Sequence, residues 1–150
     1  MPTLRVNHLH AVAHSRLATA TLQTLLLEVA QKLANTHIGL VVVCDPDGVM
    51  AGVISKSDIL RRLGHCLGSA CQTLARDLMT TDVICCHPDD CLADVLGAME
   101  QRGLVHMPLL DNQRRPIGVV NARDALRALV QAGEYEEALL RQYVMGIGYH

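Results

Sequence analysis

A mixed α/β fold of the α+β kind, built from two helix-strand-strand-helix units packed about a pseudo-twofold axis with one more helix at the C-terminus, is what this sequence predicts. Three observations predict it. The phrase Gly52-Val53-Ile54-Ser55-Lys56-Ser57-Asp58-Ile59-Leu60-Arg61 returns as Gly118-Val119-Val120-Asn121-Ala122-Arg123-Asp124-Ala125-Leu126-Arg127, displaced by 66 positions (124 − 58). The register of that repeat holds for about 40 residues without an insertion, and turns and helix starts fall in step. Each copy also passes from a short apolar run into a helical period through a polar residue and an Asp, so each reads as a buried strand that turns into a helix. Two such units, each with one apolar sheet face, bury those faces most simply against each other, which creates two equivalent clefts.

The elements follow in order. Residues 1 to about 15 are polar, carry His8, His10 and His14, and show no clear period, so order is expected only after Ala11. Thr21 or Thr24 can cap an amphipathic helix in which Leu25, Leu26, Val29, Ala30 and Leu33 recur at three and four, ending near Asn35. Leu40 to Cys44 is an apolar, mostly β-branched run and reads as a buried strand. Asp45-Pro46-Asp47-Gly48 makes a turn, and Val49 to Ile54 returns antiparallel. Ser55 or Ser57 caps a helix from Asp58 to about Leu63, stopped by Gly64. Beyond a linker, Leu74 to Met79 is a helical turn and Asp82 to Cys86 a strand. His87-Pro88-Asp89-Asp90 opens a helix carrying Leu92, Val95, Leu96 and Met99, with the acidic pair at its positive end. Gly103 closes it. Val105 to Leu110 is a strand, Asp111 to Arg115 a turn, Pro116 to Val120 a strand, Asp124 to Leu129 a helix, and Glu134 to Met145 a final amphipathic helix. The chain therefore divides into an N-terminal segment (1–15), a first repeat (16–64), a linker (65–76), a second repeat (77–130) and a C-terminal helix and tail (131–150).

A chain of 150 residues can bury about two thirds of its unfolded surface without a metal or disulfide. With no Trp, no Phe and only three Tyr, its core must be aliphatic, and a flat ligand would lie between aliphatic side chains. A net charge of −2 without any basic block argues against nucleic-acid binding. No apolar run has signal-peptide character or approaches the roughly 18 residues of a membrane span, so a soluble, cytoplasmic protein is expected. Cys44, Cys66, Cys71, Cys85, Cys86 and Cys91 then stay reduced, most of them as small core residues. Cys85, Cys86, His87 and Cys91 lie close in sequence, but there is no C-x-x-C pair. Adjacent strand residues also point to opposite faces, so no metal site is expected.

These residues resemble the tandem cystathionine-β-synthase (CBS) domain pair, or Bateman module. The resemblance rests on Ser55-Lys56-Ser57-Asp58 and Asn121-Ala122-Arg123-Asp124, the Asp-containing hairpins, Asp77-Leu78-Met79-Thr80 with Pro88 before Leu92, and His106-Met107-Pro108-Leu109-Leu110-Asp111. It covers roughly residues 11 to 130. It implies two βαββα-type repeats and a regulatory rather than catalytic role. It further implies binding of an adenosine-containing ligand such as AMP, ADP, ATP, NAD(H) or S-adenosylmethionine between the repeats, with no cofactor required. Occupancy would be signalled to a partner protein, and the chain is expected to form a homodimer.

The chemistry of the quoted residues is compatible with that expectation. Asp58 can accept from both ribose hydroxyls, with Ser55 and Ser57 as donors beside it at a helix N-terminus. Ser and Asp at a helix start are equally an ordinary cap. The resemblance directs His106 and Arg123 toward phosphate. Arg123 could bind phosphate in a fork, whereas His106 adds charge only when protonated; a solvated Arg123 and a core His106 are the plain alternatives. The base is expected against Val53, Val83 and Ile84. The twin site around Asn121 and Asp124 is expected to be weaker, because Asn121 replaces Ser or Thr and the residues matching His106 and Arg123 are Leu40 and Ser57. One competent site per chain is therefore expected.

Other functions stay open on sequence alone. A thiol enzyme using Cys85, Cys86 or Cys91 with His87 or His106 lacks a recognisable base and orienting group. A metal or thiol-redox sensor on the same fold is the main alternative, and an amino-acid-binding, ferredoxin-like repeat is another.

Overall fold

A computed structural model describes residues 3–65 and 72–133, so the expected C-terminal helix from Glu134 and half of the expected linker lie outside the described residues. A 3-10 turn (Val6–Leu9) runs into α1 (His10–Ser15), followed by β1 (Ala18–Thr21), α2 (Leu26–Leu33), β2 (Leu40–Cys44), β3 (Met50–Ser55) and α3 (Lys56–His65). The second half contains α4 (Ala75–Leu78), α5 (Leu92–Arg102), β4 (His106–Leu110), β5 (Pro116–Asn121) and α6 (Ala122–Gln131).

Both hairpins follow from their turns. Gly48 takes φ 82° and Arg114 φ 62° at the matching ends, and in each turn the first Asp accepts backbone N–H groups two and four residues on. β2 and β3 pair antiparallel from Leu40–Ser55, and β4 and β5 from His106–Asn121, each with an irregularity one residue before the turn-proximal end. These positions superimpose under the 66-residue shift read from the sequence.

Strand alternation explains why the apolar runs are continuous. Val41, Val43 and Ile54 enter the core of the first repeat, packed by α2, while Leu40, Val42 and Val53 face the other way and meet Leu110 and Val119 of the second repeat. A strand buried on both faces has no polar positions to show.

Three expectations are corrected. Residues 6–15 are helical rather than unordered, and Val6, Leu9 and Ala13 lie in the core of the second repeat with Met99, Met107 and Leu129. Their spacing of three and four is the periodic signal that the surrounding histidines obscure. Thr21 ends β1 instead of opening a helix, and the Thr24 hydroxyl accepts from the Thr21 N–H at 3.0 Å, leaving α2 to begin without a side-chain cap. Residues 82–86 form no strand. Only Cys86 bridges Leu109 in parallel, where its counterpart Ala20 belongs to a four-residue pairing with β2. Pro88, which has no N–H to give, ends that extension early.

The halves are strapped crosswise. Leu26 and Ala75 exchange backbone hydrogen bonds with Thr73 and Thr24, tying the segment ahead of the second repeat to the first. Val6 and Asn7 donate to Asp90 and Pro88, and Leu92 donates to Leu4, tying the segment ahead of the first repeat to the second.

Candidate functional site

β3 delivers Ser55 to the mouth of a cavity of about 320 Å³, and α3 begins there. The Ser55 N–H and hydroxyl both donate to Asp58 Oδ2, at 2.8 and 3.1 Å, while the Asp58 N–H approaches Ser55 Oγ at 3.4 Å. This is a reciprocal cap, so the ordinary structural role of Ser55 and Asp58 is present. It commits one carboxylate oxygen. Among the described residues Oδ1 meets the exposed Arg61, 3.6 Å away, and Asp58 itself remains part of the cavity lining.

The facing wall comes from the second repeat. Val53 and Thr80 exchange backbone hydrogen bonds of 3.0 and 2.8 Å, which lays residues 80–84 along the cleft. Asp82, Val83 and Ile84 line it, and the backbone from Asp82 to Cys85 enters no sheet ladder. Their peptide groups are thereby placed beside an apolar slot formed with Leu40, Val53, Leu104 and Pro108.

His106 closes the inner end. The Asn121 Oδ1 accepts from the Arg123 and Asp124 N–H groups, so its amide nitrogen is the group 3.2 Å from His106 Nε2. Nε2 must then accept, which leaves the proton on Nδ1. Burial, aided by the nearby charges of Arg16 and Lys56 and opposed by Asp124, lowers the His106 pKa below its ordinary 6.5. At neutral pH it is an uncharged polar group, not a cation.

Of the residues expected from sequence, Val53, Ser55, Asp58, Val83, Ile84 and His106 are brought together around this one cavity. Ser57 and Arg123 are not: both are exposed in the first turns of α3 and α6, outside the lining. The cation in the lining is Arg102, in the last turn of α5, which sequence reasoning passed over. A basic residue just before a left-handed Gly103 is amply explained by the helix dipole, so nothing marked it as functional.

The twin position is arranged differently. Asp124 is buried, and Arg16 grips its carboxylate with Nε to Oδ2 at 2.5 Å and Nη2 to Oδ1 at 3.1 Å. Arg16 also donates from Nη1 to the His37 carbonyl at 3.0 Å. Sequence reasoning assigned Asp124 to a weaker site without seeing this partner, which lies 108 residues away.

Cys85, Cys86 and Cys91 share a separate cavity of about 230 Å³ with Asp90 and Asp94. Burial raises the Cys85 thiol, and burial with Asp90 and Cys85 pushes Cys86 up to about 12. Among the described residues, no three His, Cys, Asp or Glu side chains are grouped closely enough to hold a metal ion.

The sequence profile of the CBS domain matches residues 9–65 and again residues 75–131. The Meiotically up-regulated gene 70 protein of Schizosaccharomyces pombe is 31% identical over 121 residues, covering 73% of this chain but 16% of that protein. Among solved structures, the CBS domain pair of protein MJ0100 in complex with 5′-methylthioadenosine and S-adenosyl-L-methionine gives a TM-score of 0.72 at 24% identity, over 87% of this chain and 99% of that one. CBSX2 in complex with AMP gives 0.67 at 18% identity, over 81% and 92%. At these identities the likeness to the solved structures is one of fold. No helix among the described residues is long and apolar enough to cross a membrane.

Proposed function

Since the chain belongs to the CBS-domain family, as a tandem pair of its domains, we propose that it is a non-catalytic regulatory module that binds an adenosine-containing ligand in the cleft at Asp58 and signals occupancy to a partner protein. The observation that carries this reading is a carboxylate at a helix start opening onto an apolar slot walled by both repeats. Asp58 accepts the ribose hydroxyls, Ser55 supports it, and the base lies among Val53, Val83 and Ile84, with their backbone groups at its edge. The cavity is at the small end of ligand pockets, about 300–1,000 Å³, and suits one nucleoside rather than a whole dinucleotide.

Charge narrows the class. Asp58, Asp82 and Arg102 line the cavity and His106 is neutral, so the lining favours adenosine with no phosphate or one over a triphosphate. Arg102 is the phosphate partner within the cavity. Arg123, exposed at the start of α6, is a second cation for a phosphate extending outward.

Because the walls come from two repeats, a ligand that prefers one spacing of them shifts their equilibrium, by no more than its differential affinity. A homodimer presents two such clefts. Titration calorimetry with adenosine, AMP, ATP, NADH and S-adenosylmethionine tests the assignment. Binding of adenosine or AMP that is lost in Asp58→Ala is expected, and binding unaffected by that change would sink it.

A further inference from the structure

The Asp58 cleft and its twin around Asp124 differ at Ser55 against Asn121, at His106 against Leu40, and at one further pseudosymmetric pair whose members carry opposite charge. Under the 66-residue shift, Asp58 maps onto Asp124, Gly52 onto Gly118, and Ala13 onto Met79. The structure bears out this correspondence through contacts. A Cβ at Gly52 would come within 2.8 Å of the Met79 sulfur, and one at Gly118 within 2.9 Å of Ala13. Arg16 therefore corresponds to Asp82. In one cleft this position is acidic and lines the cavity together with Asp58. In the other it is a guanidinium bound to Asp124 through two nitrogens.

We propose that Arg16 is a built-in occupant of the Asp124 cleft, and that it fixes the ligand stoichiometry of the module at one per chain. The inference rests on the adenosine reading of the Asp58 cleft, which it extends to its twin. Both Asp124 oxygens are engaged by Arg16, and these are the acceptors a ribose diol would need. The fork is anchored at its far end on the His37 carbonyl, and Ser15 Oγ lies 2.9 Å from His37 Nε2, so the strap carrying Arg16 is held in the first repeat. A nucleoside must therefore break a forked, largely buried pair to reach Asp124, whereas at Asp58 it meets an oxygen approached, among the described residues, by an exposed Arg61.

Calorimetry of the full chain with adenosine, the uncharged probe, tests this. The wild type is expected to take up one equivalent and Arg16→Gln two, the second lost again when Asp124→Asn is added. Arg16→Lys keeps a cation beside the buried carboxylate but cannot fork; it should show a weaker second event, and it decides the matter if Arg16→Gln does not fold. Conversely, Asp82→Arg installs the same occupant in the open cleft and should weaken adenosine binding there at least tenfold. Two equivalents in the wild type, or no gain in a folded Arg16 variant, would overturn the proposal. If the wild type binds none and Arg16→Gln binds one, Arg16 is upheld while the reading of the Asp58 cleft fails.

Discussion

Asp58 commits Oδ2 to the start of its own helix, whereas in the second repeat Asn121 caps α6 and leaves Asp124 to Arg16. One substitution at the cap and one in the strap thus give two identical residues different chemistry. Asp58→Ala should weaken adenosine binding roughly 10- to 100-fold, the equivalent of about 1.5–3 kcal/mol for a charged hydrogen-bonding group. It should also lower stability by about 1 kcal/mol through the lost cap. Ser55→Ala separates the two effects, since it weakens the cap but leaves the carboxylate in place; calorimetry and urea denaturation of both variants measure them. His106 gives a pH signature. Its folded pKa is depressed, so between 6.5 and the lower folded value the unfolded chain binds a proton that the folded chain does not. Stability should therefore rise with pH through that window; on acidification the His106 contribution falls through the same window and levels off below the folded value, where both states carry the proton. His106→Leu, which copies Leu40 of the first repeat, should flatten this part of a plot of urea midpoint against pH. Cys86, with its thiol at about 12, should resist a thiolate-selective reagent at pH 8 until the protein unfolds.

Elements set how closely the chain segments approach. Gly52 lies under Met79 and Thr80, and a Cβ there would come 2.7 Å from the Thr80 carbonyl oxygen. Gly52→Ala should therefore push residues 79–84 off β3, at a cost of about 1–3 kcal/mol in chemical denaturation, and loosen the cleft wall they form. β2 to β5, their turns and α3, α5 and α6 were legible because each carries a local signature, an apolar run, an Asp-rich turn or a cap; β1, alternating Ala and Thr over Ala18–Thr21, carries none and was not. The Asp58 cleft was legible for the same reason, since Ser55 and Asp58 sit at one such junction. Arg102 and Asp82 were not, because each looks like an ordinary solvated charge until the fold brings α5 and residues 80–84 beside β3. The unformed strand at 82–86 shows the converse: its residues suit a strand, but the pairing of the adjacent Thr80 with Val53 and the nearby Pro88 prevail.

At the scale of the whole molecule, the N-terminal segment belongs structurally to the second repeat. Removing residues 1–15 would strip Val6, Leu9 and Ala13 from that core, and the two larger side chains alone account for at least about 3 kcal/mol of burial. A marked drop in melting temperature is expected, and a melting temperature matching the full chain would show the strap to be dispensable. The crosswise arrangement also orders the protein's synthesis. Domains fold as they emerge, N-terminus first. The first repeat gains its strap as soon as residues 73–80 leave the ribosome, whereas the strap made at the outset must wait for Asp124, 108 residues behind Arg16. Until then Val6 and Leu9 lack the part of their core that Ala125, Ala128 and Leu129 supply. The strap ahead of the first repeat docks onto a repeat that is translated after it.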